Sequence, residues 1–337
     1  MARCTRLISR PYHGTTGEDR WAWRRGHSGW TAWVLCDGAS EGYDAAGWAQ
    51  VLADHLADGL ADSLPGHLAG QAVSKAVGLA ERAVSPAHPP TDSLADSLPG
   101  HLADSLAQCP TDSLAGQAVS PAVGLAERAV HRARRAYKNQ ALHKQGKVNR
   151  GLHDRTGSDL GASGTGGLDW LSRASLARGS WSTALALRCS PTFSYIEVWA
   201  MGDTELFILD GFRAVLHLPL LRAEDFSASP TLIASSASDP DTDSDSITSG
   251  SPATGTAHKQ LPWVYRKINL RPLRNPRLIL VSDALASYIL GHTPAESAKL
   301  WQFLLTEKPE QVYRWLGEEE GHFQLRPDDH TLIEVRP

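Results

Sequence analysis

RLILVSDALA, residues 277–286, is the stretch on which the fold turns. Its first half is a short continuous apolar run, the pattern of a strand buried on both faces. The run ends on an acid, Asp283. Similar segments lie outward from it. HTLIEV (330–335) reads as a strand and follows Asp328. WSTALALRC (181–189), SYIEVWAM (194–201), ELFIL (205–209) and FRAVLHL (212–218) have strand composition. Asp210-Gly211, between the last two, is a strong two-residue hairpin signal. Farther back, RWAWRR (20–25) and GWTAWVLC (29–36) flank Gly26–Ser28 as a second hairpin. Apolar strands in this number predict an α+β chain built on a sandwich of two packed antiparallel β-sheets.

Helical spacing marks other stretches. Ala45, Trp48, Ala49, Leu52, Leu56 and Leu60 recur with it, and residues 294–316 carry the same periodicity. Residues 61–130 repeat themselves: LAGQAVSKAVGLAERAV (68–84) returns as LAGQAVSPAVGLAERAV (114–130). The copies lack one fixed period, which speaks against a solenoid. The reading is a repetitive helical insertion over about 61–113. The second copy keeps Ala118, Ala122, Leu125, Ala129, Ala133 and Ala136 on one stripe. It predicts a helix packed on the core, started or kinked by Pro121. Residues 139–168 are polar, end in GSDLGASGTGG, and predict a flexible linker. They lack the Lys-Ser/Thr of a phosphate-cradling loop. Residues 226–258, rich in Ser, Asp, Thr and Pro, predict a disordered loop. The expectation is one domain over 1–337 carrying these three interruptions.

Composition narrows the function classes. The 337 residues are 42% hydrophobic and 21% charged, with a net charge of −4. This is ordinary globular material. No basic stripe points to nucleic acid or to a membrane surface. Four cysteines, Cys4, Cys36, Cys109 and Cys189, form no CxxC pair, so reduced thiols in a cytoplasm are the simplest reading. MARCTRLISR has no apolar signal core, and no apolar run is long enough to span a bilayer. The expectation is a soluble cytoplasmic protein.

The chemistry-bearing residues are acids at strand ends. Glu18 and Asp19 open the first hairpin, and Asp37 ends its second strand before Gly38. Asp203 opens ELFIL, Asp283 ends RLILVS, and Asp328 precedes the last strand. Taken singly, each reads as a solvated turn residue. As a set, acids fed by hydrophobic strands to one rim would build an oxygen-only cation site of the kind magnesium and manganese prefer. His13 and His330 lie near these acids and read as solvent-facing or hydrogen-bonded side chains.

GEDR (17–20), VLCDGASEG (34–42), SWSTALAL (180–187), WAMGDTELFIL (199–209), LILVSDALA (278–286) and RPDDHTLIEV (326–335) follow one another in a known order. The chain resembles the PPM-type (type 2C) metal-dependent protein serine/threonine phosphatases, in a bacterial-type branch. The resemblance implies helices outside both sheets. It also implies two Mn2+ or Mg2+ ions. Asp37 would bridge both, the Gly38 carbonyl and Glu18 would complete one site, and Asp283 and Asp328 the other. Asp203 matches the aspartate that can serve a third, weaker metal. Asp19 would orient water. Thr331, set on the family's Thr, places Asp328 on the ligand and Asp329 on the neighbouring Asn. The implied activity is hydrolysis of phosphoserine and phosphothreonine in proteins by a metal-activated bridging water, opposing a cognate kinase.

Three positions depart from the family pattern. Its phosphate-gripping Arg is replaced by Gly14, and Ala39 and Ala284 stand for a frequent His and for the Gly of "SDG". Arg10, His13 or Arg20 would substitute as the phosphate contact, and Arg10 has the greatest freedom. The rival readings are a catalytically weak or inactive pseudophosphatase that binds a partner, and a phosphomonoesterase for small molecules.

Overall fold

Strand alternation gives the two faces of each sheet different neighbours, and four layers result. The computed structural model describes residues 2–12, 17–39, 44–63, 121–153, 179–226, 230–236 and 262–337, with side chains of 141–153 excepted. One sheet holds β1 (Arg3–Arg10), β12 (His330–Arg336), β11 (Pro276–Val281), β7 (Glu205–Asp210) and β8 (Arg213–Leu218), in that order. The other holds β10 (Val264–Asn269), β6 (Tyr195–Met201), β5 (Ala184–Cys189), β3 (Thr31–Cys36) and β2 (Arg20–Arg25). All neighbours in both sheets are antiparallel. RLILVS lies where its unbroken apolar run requires, with β12 on one side and β7 on the other.

On β3, Trp33 and Leu35 face the inter-sheet core with Leu185, Leu187, Leu206, Ile208, Leu278, Leu280 and Ile333. The alternate residues Ala32, Val34 and Cys36 face α1 (Ala45–Ala61) and α2 (Pro121–His153), beside Ala184 and Ala186. The alanines on that face let α1 approach closely enough to bury Trp48, Leu52 and Leu56 completely. The other outer face carries Phe207, Ile279, Val281 and Leu332. It is covered by α3 (Asp283–Leu290), α4 (Pro294–Thr306) and α5 (Pro309–Gly321), through Leu285, Trp301, Leu304 and Leu316. The architecture is α+β, a sandwich of antiparallel sheets with helices outside both.

Several boundaries differ from the expectation. The periodicity over 294–316 is divided between α4 and α5, because Pro309 has no N–H for a continuous helix and instead starts a new one. Pro121 starts α2, and the helix runs to His153, so 139–153 are helical rather than linker. Within the stretch expected to be disordered, β9 (Ile233–Ala234) pairs with β4 (Trp181–Ser182). Ile233 is fully buried, and its carbonyl accepts the Trp48 Nε1–H at 2.9 Å. WSTALALRC is therefore two strands, with the break at Thr183. β1 and β10 carry half-buried polar patterns that periodicity did not single out. The first repeat copy, the rest of the linker and most of the Ser/Asp-rich stretch lie outside the described residues.

Candidate active site

The small residues around the acids are supports. The Asp37 carbonyl accepts the Ser182 hydroxyl at 2.8 Å and the Thr183 N–H at 2.9 Å. The Ala39 N–H donates to the Trp181 carbonyl at 3.0 Å, and Gly38 bridges to Ser182. The WST segment thus clamps the Asp37-Gly38 turn. Thr183 Oγ1 shares a hydrogen bond of 2.6 Å with Thr204 Oγ1. Gly202 has a φ of +93°, and a Cβ there would stand 2.5 Å from Thr183 Cγ2, so only glycine lets Asp203 approach this clamp.

A second clamp works from the other sheet. Ser282, at the end of β11, accepts the Thr331 N–H at 2.9 Å and donates to the Asp329 carbonyl at 3.2 Å. That stitch sets Asp283, at the start of α3, beside Asp328. Asp329 serves the backbone: Oδ1 accepts the Tyr12 N–H at 2.8 Å, and Oδ2 accepts from Glu18 and, at 3.3 Å, from Asp19. It holds the segment that carries Glu18 and Asp19.

The acids share one field. Burial pushes Asp37 well up, and the charges of Asp19, Asp283, Asp328 and Asp203 push it further. Burial, with Asp329 and Asp283, takes Asp19 up to about 7 against the hydroxyls of Thr331 and Ser282. Asp203 is also pushed to about 7, by burial and then by Asp283. Asp328 is raised by burial and by Asp283. Repulsion of this kind requires the five to occupy one rim. Both Asp19 oxygens are buried, and among the described residues neither accepts a well-formed hydrogen bond, because the nearby Thr331 and Ser282 hydroxyls are engaged with Ser9 and the Asp329 carbonyl.

Among the described residues, a cation stands with them. Arg326 Nη2 donates to Asp283 Oδ2 and, at 3.1 Å, to Asp328 Oδ2. Sequence reading passed over it, although the signal was there: an Arg two residues before Asp328. Arg10, favoured from sequence as the phosphate contact, is instead paired with Glu320 of α5 at 2.6 Å. Arg20 turns back to the Asp19 carbonyl at 2.7 Å. His330 is buried and shares Glu320 through Nε2 at 2.8 Å, the hydrogen-bonded role expected of it. His13 and Gly14 lie outside the described residues.

Among the described residues, no three His, Cys, Asp or Glu side chains converge as a metal cage. The donors nevertheless suit a hard divalent cation: carboxylate and carbonyl oxygens on fixed strand ends, with both Asp19 oxygens buried and without a well-formed hydrogen bond among the described residues.

A four-layer sandwich with an acidic rim at its strand ends is thus the class of molecule that fold and site define. No family model matches the chain, and no curated protein matches it. Among solved structures, a serine/threonine phosphatase of S. agalactiae aligns with a TM-score of 0.48 and 11% identity, over 100% of this chain and 99% of its own. A serine/threonine phosphatase of Staphylococcus aureus gives 0.44 and 10%, over 99% and 95%. PppA of Pseudomonas aeruginosa, a key regulatory component of T6SS, gives 0.45 and 14%, over 99% and 97%. Likeness at this level decides nothing by itself.

Proposed function

We propose that the chain is a metal-dependent phosphohydrolase acting on phosphoserine and phosphothreonine of proteins. The observation that carries this reading is the set of five acids on one rim of the sandwich, where burial and neighbouring carboxylates raise Asp19, Asp37, Asp203 and Asp328. Asp37, the Gly38 carbonyl and Glu18 would hold one Mn2+ or Mg2+, and Asp37, Asp283 and Asp328 the other. Asp203 faces the same field and would serve a third, weaker ion. Bound there, the ions supply an activated water and neutralise phosphoryl charge. Asp19 would accept a hydrogen bond from the attacking water and so orient it. The Ser182–Thr183 clamp fixes the Asp37 backbone, so this carboxylate keeps its place when charge moves. The reading extends to a phosphoprotein partner and a cytoplasmic setting in which a serine/threonine kinase is opposed.

The experiment is Mn2+-dependent hydrolysis of an aryl phosphate and of a phosphopeptide by the purified protein, with Asp37→Asn beside it. The variant should keep its circular dichroism and lose turnover by about 100-fold or more, as expected when metal-centred chemistry goes. Turnover equal to wild type at matched Mn2+ would exclude Asp37 as the bridging ligand. A second reading, a pseudophosphatase, is favoured by Arg326 lying between Asp283 and Asp328. It requires that the wild type turn over neither the aryl phosphate nor the phosphopeptide, even with Mn2+ bound.

A further inference from the structure

Arg326 lies in the connection between α5 and β12, and its side chain is 45% exposed. Each of its two acids has one oxygen tied to backbone: Asp283 Oδ1 accepts the Ala284 N–H at 2.6 Å, and Asp328 Oδ1 the Asp329 N–H at 2.9 Å. The remaining oxygen of each, Oδ2, is given to the same guanidinium nitrogen. These are the two oxygens that a cation held jointly by Asp283 and Asp328 would need. A guanidinium and a divalent ion cannot share them, since both are positive and would stand within contact distance.

The arginine has somewhere to go. It forms one wall of an open groove of about 350 Å³, lined also by Ser287, Tyr288, His292 and Gln324. Its half-exposed side chain can turn into that space without breaking packed core.

We propose that Arg326 is a resident, displaceable counterion of the acid pair: it holds Asp283 and Asp328 together in the metal-free protein, and a divalent cation must expel it toward the groove to bind. This rests on the metal-site reading above and adds a competitor to it. Apparent metal affinity is then set by the exchange of one cation for another. The acids are kept in register before the metal arrives, because their mutual repulsion is offset by the guanidinium.

The test is calorimetric titration of the full chain with Mn2+ alone, for wild type, Arg326→Ala, Arg326→Gln, Arg326→Lys and Asp283→Asn. Arg326→Ala and Arg326→Gln should bind Mn2+ tighter by about fivefold or more, the order expected for removing one competing, partly exposed charge. Arg326→Lys, which keeps the charge but not the fork, should fall between them and wild type. Without metal, Arg326→Ala and Arg326→Gln should melt below wild type, and added Mn2+ should raise their melting temperatures by more. If Asp283→Asn loses Mn2+ while both neutral variants bind within twofold of wild type, or more weakly, the inference is overturned and the metal site stands. If neither wild type nor the neutral variants take up Mn2+, or if Asp283→Asn titrates like wild type, the metal reading itself fails and the inference with it. Should Arg326→Ala prove misfolded, the neutral but still polar Arg326→Gln decides.

Discussion

At the scale of single residues, two adjacent aspartates divide the work. Asp329 is 8% exposed and accepts three backbone N–H groups, from Tyr12, Glu18 and Asp19. Asp328 is half-exposed and, among the described residues, meets Arg326 and its neighbour's N–H. Charge-assisted bonds to a buried acceptor are expensive to remove, so Asp329→Ala should lose about 3 kcal/mol of stability. Asp328→Ala should change stability by less than about 0.5 kcal/mol and weaken Mn2+ binding instead. Urea unfolding and Mn2+ titration of both variants check this. The reverse pattern, with Asp328 structural and Asp329 needed for Mn2+, would exchange their roles. Spacing from Thr331 pointed to the same assignment of Asp328. It could not show what Asp329 does, because the three N–H groups come from a segment more than 300 positions away.

At the scale of elements, α1 depends on one buried ion pair. Arg188 on β5 is 2% exposed and donates to Glu197 of β6 through Nε at 2.9 Å. Its Nη1 also donates to the Leu60 carbonyl at 3.2 Å and the Ser63 carbonyl at 2.8 Å. These carbonyls belong to the C-terminal turn of α1 and the residues just past it, where none of the helix's own N–H groups remain to pair them. The guanidinium also lies 4.4 Å from the Trp30 ring centroid. Arg188→Met would leave Glu197 buried with only the Tyr265 hydroxyl, at 3.3 Å. A loss of about 3–5 kcal/mol is expected, relieved in part by adding Glu197→Gln. Equilibrium unfolding in urea measures both. Equal destabilisation of the single and double variants would mean that the carbonyls of α1, and not Glu197, carry the effect. In sequence this pair is an Arg and a Glu inside apolar strands, visible as exceptions but without their partners. The same limit hid the division of 181–189 into β4 and β5, since β4 exists only because Ile233 and Ala234 return to pair with it.

At the scale of the whole molecule, the acidic rim opposes the fold. Burial first, and neighbouring charge second, raises Asp19 and Asp203 from 3.8 to about 7. Burial takes Glu205 from 4.5 to about 7, against the pull of the neighbouring His217 imidazole. An acid whose folded value is raised binds its proton more tightly in the folded state. Its cost is absent below the unfolded value, grows as pH rises through the interval, and is complete above the folded value. His217, raised first by Glu205, whose Oε1 lies 3.5 Å from its Nδ1, gives stability that is also lost as pH rises. The metal-free protein should therefore melt progressively lower between about pH 4 and pH 7. Mn2+ should restore more at the upper end than at the lower. Differential scanning fluorimetry with and without Mn2+ checks both, and a melting temperature that is level or rising over that range would contradict the pH values assigned to these acids.

Strands β2, β3, β5 to β8, β11 and β12, both hairpins, α1 and the start of α2 were legible in sequence because alternation, helical period, Asp210-Gly211 and Pro121 act within a few residues. So were the acids at strand ends, since apolar runs that stop on Asp37 and Asp283 announce themselves. Which sheet each strand joins was decided only by tertiary pairing: β1 lies against β12, and β10 against β6, across long separations. Tertiary structure alone also paired Arg10 with Glu320 and set Arg326 between Asp283 and Asp328. A charged side chain takes its partner from whatever the packed layers bring within reach, and one-dimensional spacing holds no record of that distance.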